Sequence, residues 1–199
     1  MSFGLFAKQP TDKLWYGDLP NKGVGIFTYN DFKIKLLDIH NPVFKYVLPL
    51  KVYNDKISFT IFAVWAQKPE KNDNYIEQVW NAVHFYGDLL DGENIILAGD
   101  FNSNTIFDKP ERECSHTCFV SYLKTKNIVS AYHQFHNQIQ GKEMVNTHFL
   151  QRKKDKAFHL DYIFISENLV DKLKDVEIDD YETWTKHSDH QPITMTLDL

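Results

Sequence analysis

Hydrophobic and polar positions alternate along the first third of the chain with a period of two. Phe32, Ile34 and Leu36 interleave with Lys33 and Lys35, as in a strand with one wet face. The run GVGIFTY (23–29) reads as a preceding strand, with Asn30 and Asp31 as a hairpin turn between the two. VFKYVLPLKVY (43–53) and ISFTIFAVWA (57–66) follow, bridged by Asn54 and Asp55. The second of these is apolar on both parities around Phe59, Ile61, Phe62, Val64 and Trp65, which predicts a central strand. The period then lengthens. Ile76, Val79, Trp80, Val83 and Leu90 fall on helical spacing, and Asn74 with Glu77 has the form of a capping box.

The strand NIILAGD (94–100) comes next, then a helix over Ser115 to Lys126 with Cys118, Phe119, Tyr122 and Leu123 facing inward. Strands are expected near NIVSAY (127–132) and VNTHFL (145–150). Two later strands are clear. FHLDYIFIS carries Phe158, Leu160, Tyr162 and Phe164 on one parity, and ITMTLDL carries Ile193, Met195, Leu197 and Leu199. No repeat, low-complexity tract or long linker interrupts the 199 residues, so a single domain over 1–199 is expected. Strands dominate and helices are few, which predicts two packed sheets with helices outside.

Composition changes this picture little. Aromatic residues make up 15% of the chain, a payload suited to a sheet-rich core. The net charge of -5 argues against a protein coated in basic residues that grips nucleic acid by bulk electrostatics. It leaves room for a nuclease with a local cationic cluster. Cys114 and Cys118 share one face of the expected helix with His116 between them, too few ligands for zinc. Both are read as reduced thiols of a cytoplasmic protein. No segment has the length of apolar residues that a membrane span requires.

Polar groups interrupt or end the apolar strands at three places. Asp100 and Asn102 follow NIILAG, Asp161 sits within FHLDYIFIS, and Asp189 and His190 precede the last strand. Singly, these read as a turn, a buried acceptor and a loop that stops at Pro192. Together, GDFNS, HLDYIF and SDHQPI in this order resemble the endonuclease/exonuclease/phosphatase superfamily, the fold of DNase I, the AP endonucleases and the inositol polyphosphate phosphatases. The resemblance runs from about Trp15 to the C-terminus. WYGDLPNKGVGIFTY, GDFNSNTIFDK and VSAYHQFH are similar to a subgroup of small bacterial-type members.

The resemblance implies an α+β fold, a four-layer α/β/β/α sandwich of two β-sheets flanked by helices, here N-terminally shortened. It implies a metal-dependent phosphoesterase that hydrolyses a phosphodiester or phosphomonoester. Asp100 and Asn102 would position the attacking water. His190 would hold the phosphate while Asp161 fixes its tautomer. Asp189 and Asp100 would bind Mg²⁺ or Mn²⁺. His148, His159 and Lys154 are weaker candidates for substrate contact, Lys154 with Arg152, Lys153 and Lys156 in one basic loop. The partner is then a phosphate ester, nucleic acid included, and no membrane.

Two departures stand out. Family members open with a core strand bearing an asparagine and a later strand ending in a glutamate that is the principal Mg²⁺ ligand. MSFGLFAKQPTDKL contains neither that glutamate nor an N-x-N, so weakened metal binding is expected. An open sheet edge is expected too, across which a second copy could pair. Trp65 stands where nuclease members often carry a catalytic tyrosine. The alternative function is therefore a catalytically impaired relative kept as a binding or structural module.

Overall fold

The computed structural model describes residues 8–68, 74–112 and 114–199. Its centre is a mixed sheet of six strands. In sheet order these are β3 (Lys33–Leu36), β4 (Val47–Tyr53), β5 (Ser58–Trp65), β6 (Ile95–Asp100), β10 (Asp161–Ser166) and β7 (Ile128–Ser130). Among the described residues only β5 and β6 pair in parallel, as the helical crossover between them requires. One face carries Val47, Phe62, Val64, Leu97, Tyr162 and Phe164 against α1 (Tyr75–Phe85) and α2 (His116–Thr125). Phe164 is fully buried there, and its replacement by alanine would cost about 3–5 kcal/mol.

The opposite face is covered by two hairpins. β1 (Asp12–Leu19) and β2 (Lys22–Thr28) lay Leu14, Tyr16, Val24 and Ile26 over Leu48, Leu50 and Ala63. β11 (Leu173–Ile178) and β12 (Ile193–Leu197) lay Val176, Ile178, Ile193, Met195 and Leu197 over Ile96, Ile163 and Ile165. Tyr132 of α3 (Ala131–His136) closes this second core beside β11. The two hairpins form separate two-stranded sheets among the described residues. The predicted arrangement of two packed β layers with outer helices is thus present.

Several predicted elements differ in detail. GVGIFTY and FKIKLL form no hairpin, because β2 pairs with β1 and β3 with β4. The chain crosses between layers at Asn30, which takes a left-handed φ of 63°. Asn74 precedes α1, yet its side chain makes no capping bond, and the helix ends at Phe85 rather than near Leu90. Ser115 does cap α2, accepting from Cys118 N at 3.1 Å. The buried stripe of that helix is His116, Phe119 and Leu123, so Cys118 faces solvent and Cys114 lies ahead of the first turn. NIVSAY divides into β7 and the start of α3, and VNTHFL supplies only β8 (His148–Phe149). Leu199 lies beyond β12 and is exposed.

Candidate active site

The GDFNS segment folds as a turn, and the turn aims a carboxylate. Gly99 has φ +139°, and a Cβ on it would lie 1.9 Å from the Val64 carbonyl oxygen. Only glycine lets β6 approach β5 so closely at this level. Asn102 then takes a left-handed φ of 47°, and its backbone N–H donates to the Asp100 carboxylate at 2.8 Å. Its Nδ2 donates to the other Asp100 oxygen at 2.6 Å and to the Ala66 carbonyl at 3.4 Å. Asp100 is thereby held against the end of β5.

Register brings the remaining groups to the same level. Asp161 pairs with Asp100 across the antiparallel β10–β6 ladder, and Trp65 pairs with Asp100 across the parallel β5–β6 ladder. Strand alternation sets Trp65, Asp100 and Asp161 on the hairpin-facing side of the sheet. His190 reaches them from the segment before β12. Its Nδ1 lies 2.9 Å from Asp161 Oδ2 and 3.1 Å from Oδ1, and its Nε2 is 4.0 Å from Asp100 Oδ2. Ser188 Oγ accepts from the His190 backbone N–H at 3.0 Å.

Thr147 anchors both sides of this arrangement and carried no sequence signal. Its Oγ1 accepts from the backbone N–H groups of Leu160 and Asp161, each at 2.9 Å, and its carbonyl accepts from Gln191 N at 2.6 Å. A hydroxyl in VNTHFL has no periodicity to betray it. Only its contacts in the folded chain, to Leu160, Asp161 and Gln191, show its use.

The electrostatics follow from burial and crowding. Burial first, then the neighbouring Asp161, pushes the Asp100 carboxyl up to about 7 against the opposing pull of His190. Burial alone would lower the His190 imidazole, but the Asp161 bond and charge, with Asp100 and Asp189, raise it to about 9. At neutral pH the site therefore holds an imidazolium beside a carboxyl poised to gain or lose a proton.

The structure distributes the remaining candidates unevenly. His148 packs at a tilt against His190 with ring centroids 4.5 Å apart and lines an adjoining cleft of about 330 Å³ with Asn102, Phe107, Arg112, Phe158 and Lys68. Burial, then the positive His190, keeps its pKa below the ordinary value. Asp189 is half-exposed, with Oδ2 at 3.7 Å from His148 Nε2. His159 is 2% exposed, with Nδ1 bonded to the Val145 carbonyl, so it stands behind the site rather than in the cleft. Lys154 points to Glu182 over the Tyr181 ring, away from the three central groups.

Ligand atoms of Asp100, Asp161 and His190 all lie within 4.8 Å of one another, the spacing of a divalent-cation site. The two carboxylates suit a hard cation such as Mg²⁺ or Mn²⁺. The trio contains no glutamate, and Asp189 is outside it.

No protein-family model matches the sequence, and no curated protein matches it. Solved structures do match in shape. The endonuclease domain of TRAS1, a telomere-specific non-LTR retrotransposon, gives a TM-score of 0.60 at 13% identity over 93% of this chain and 77% of that one. The 3'-5' exonuclease NExo from Neisseria meningitidis gives 0.63 at 19% over 94% and 79%. The AP endonuclease LMAP from Leishmania major gives 0.56 at 18% over 74% and 53%. At such identities the likeness is one of fold.

Proposed function

We propose that, on the DNase I-like α+β fold it shares with these nucleases, this chain is a metal-dependent phosphoesterase acting on a phosphodiester or phosphomonoester, nucleic acid included. The observation that carries the reading is the His190–Asp161 pair at 2.9 Å, with Nε2 turned toward Asp100 at 4.0 Å beside the cleft that His148 and Asn102 line. Asp100 is the base. It accepts a proton from the attacking water while Asn102 holds it in place. The imidazolium of His190, oriented by Asp161, donates its Nε2–H to a non-bridging phosphate oxygen, where negative charge grows in the transition state. Water adds to phosphorus, the ester P–O bond breaks, and the leaving oxygen takes a proton from solvent.

Asp100 and Asp161 would hold the divalent cation, with Asp189 at the rim. When bound, that cation supplies positive charge against the phosphate. The absence of a glutamate from the trio favours weak metal affinity and keeps a second reading in view, a binding module with little turnover.

Hydrolysis of a chromogenic phosphodiester with Mg²⁺ or Mn²⁺ tests the reading. Wild-type turnover is expected to fall by about 10²–10⁴-fold in His190→Ala. Equal and negligible rates for both proteins overturn the enzyme reading and leave the binding module. The separate β1–β2 and β11–β12 hairpins also support pairing with a second copy at an open strand edge. Light scattering that shows a monomer at all concentrations removes that proposal.

A further inference from the structure

Trp65 stands level with Asp100 and on the same face, yet the proposed hydrolysis gives it no task. Its ring packs on Tyr46 with centroids 4.9 Å apart, and Lys22 from the tip of the β1–β2 hairpin lies 5.7 Å above it. Beside this pair runs a second cleft of about 440 Å³. It is lined by Asp18, Lys22, Lys45, Tyr46, Gln67 and Lys68 among others. Lys68 also lines the first cleft, with Arg112, Asn102 and His148, so the two clefts meet at one lysine two residues beyond Ala66. Ala66 is itself tied to the site, its N–H donating to the Asp100 carbonyl at 2.8 Å.

The charge here runs against that of the molecule. The chain as a whole carries -5, whereas the described lining of the second cleft holds three lysines and one aspartate. Lys45 is engaged by Asp18 and lies 5.7 Å over Tyr46, while Lys22 is set over Trp65 and Lys68 at 4.9 Å over Tyr75. Paired cations and rings of this kind suit a strand of alternating phosphates and bases. A small monoester would occupy neither the second cleft nor the Trp65 face.

We propose that the second cleft is a subsite for the nucleotide next to the scissile phosphate, with Trp65 stacking its base and Lys22 and Lys68 holding its phosphate, and that the substrate is therefore a single-stranded nucleic acid. The proposal rests on the phosphoesterase reading for the position of the scissile phosphate. Its test needs no turnover. A fluorescein-labelled oligothymidylate of about 12 nucleotides is titrated in EDTA at several salt concentrations. The double variant Lys22→Ala/Lys68→Ala is expected to bind about tenfold more weakly or worse. Its log–log salt slope is expected to be shallower by about 1.4, the share of two phosphate contacts. Trp65→Ala is expected to weaken binding at every salt concentration, while Lys174→Ala in β11 leaves it unchanged.

A double variant that binds as tightly as wild type with the same slope overturns the subsite, as does a wild type that does not bind the oligomer. Oligomer binding lost in the lysine variants, with no ester hydrolysed by any protein, sustains the subsite and removes the phosphoesterase. Hydrolysis of the chromogenic diester with unchanged oligomer binding in the lysine variants removes the subsite alone.

Discussion

His190 owes its proton affinity to one neighbour more than to any other. Burial of the ring would lower its pKa, and the Asp161 carboxylate at 2.9 Å reverses that, to about 9. Asp161→Asn keeps the shape and removes the charge, so the His190 titration in metal-free protein is expected to move down toward about 6.5. The shift is followed by NMR of the imidazole protons; a titration that stays near 9 would mean that Asp161 is not the cause. Asp161 was legible in the sequence because it breaks an apolar strand where a polar group is costly, and His190 because it stands in SDHQPI, one of the three segments that carry the resemblance. Thr147 was not, since a threonine near a strand end is ordinary until its two accepted N–H bonds are seen. His159 misled for the opposite reason. It stands two residues before Asp161, but ahead of the first residue of β10, and packs into a nest of rings with Tyr132 and Tyr162.

At the level of elements, long strands with clean alternation or continuous apolar runs were readable, and β4, β5, β6, β10 and β12 all formed where expected. β11 was missed because a register shift between Leu173 and Asp175 breaks its parity, leaving Leu173 odd while Val176 and Ile178 are even. β1 was missed because both its parities carry apolar residues, with Trp15 exposed on the outer face and Leu14 and Tyr16 inward. The mistaken hairpin at Asn30 has the same root: a turn signal does not say which sheet the next strand joins. Gly99 is where an element and the site depend on a single backbone angle. Gly99→Ala puts a methyl 1.9 Å from the Val64 oxygen at φ +139°, and β6 must part from β5 to admit it. A loss of about 3 kcal/mol or more in urea unfolding is expected, with activity falling alongside. A stability within about 0.5 kcal/mol of wild type would show that the turn can relax without cost.

For the whole molecule, the reservoir of acid sensitivity lies behind the site rather than in it. His116 is completely buried at the start of α2, against Tyr162 and Phe119 and with the Gln140 side chain beside it, and among the described residues neither of its ring nitrogens has a hydrogen-bond partner of good geometry. Burial, the largest cause, pulls its pKa down to about 4, so the folded protein holds the ring neutral while the unfolded chain takes up a proton below about 6.5. The unfolded state then binds more protons, and stability is fully present above about 6.5 and drains away as the pH falls toward about 4. A shift of this size amounts to about 3 kcal/mol once the pH is below both values. Glu143 adds to the same slope lower down. Burial would raise it, but the His133 bond at 3.0 Å and the Gly141 N–H outweigh that and hold it at about 2, so its contribution fades between about 4.5 and 2. His116→Phe keeps a ring packed against Tyr162 and Phe119 and removes the titrating group. Urea midpoints measured from pH 7 to pH 4 are expected to fall steeply for wild type and much less for the variant. Parallel curves for the two proteins would assign the acid loss to other groups and take His116 out of the account.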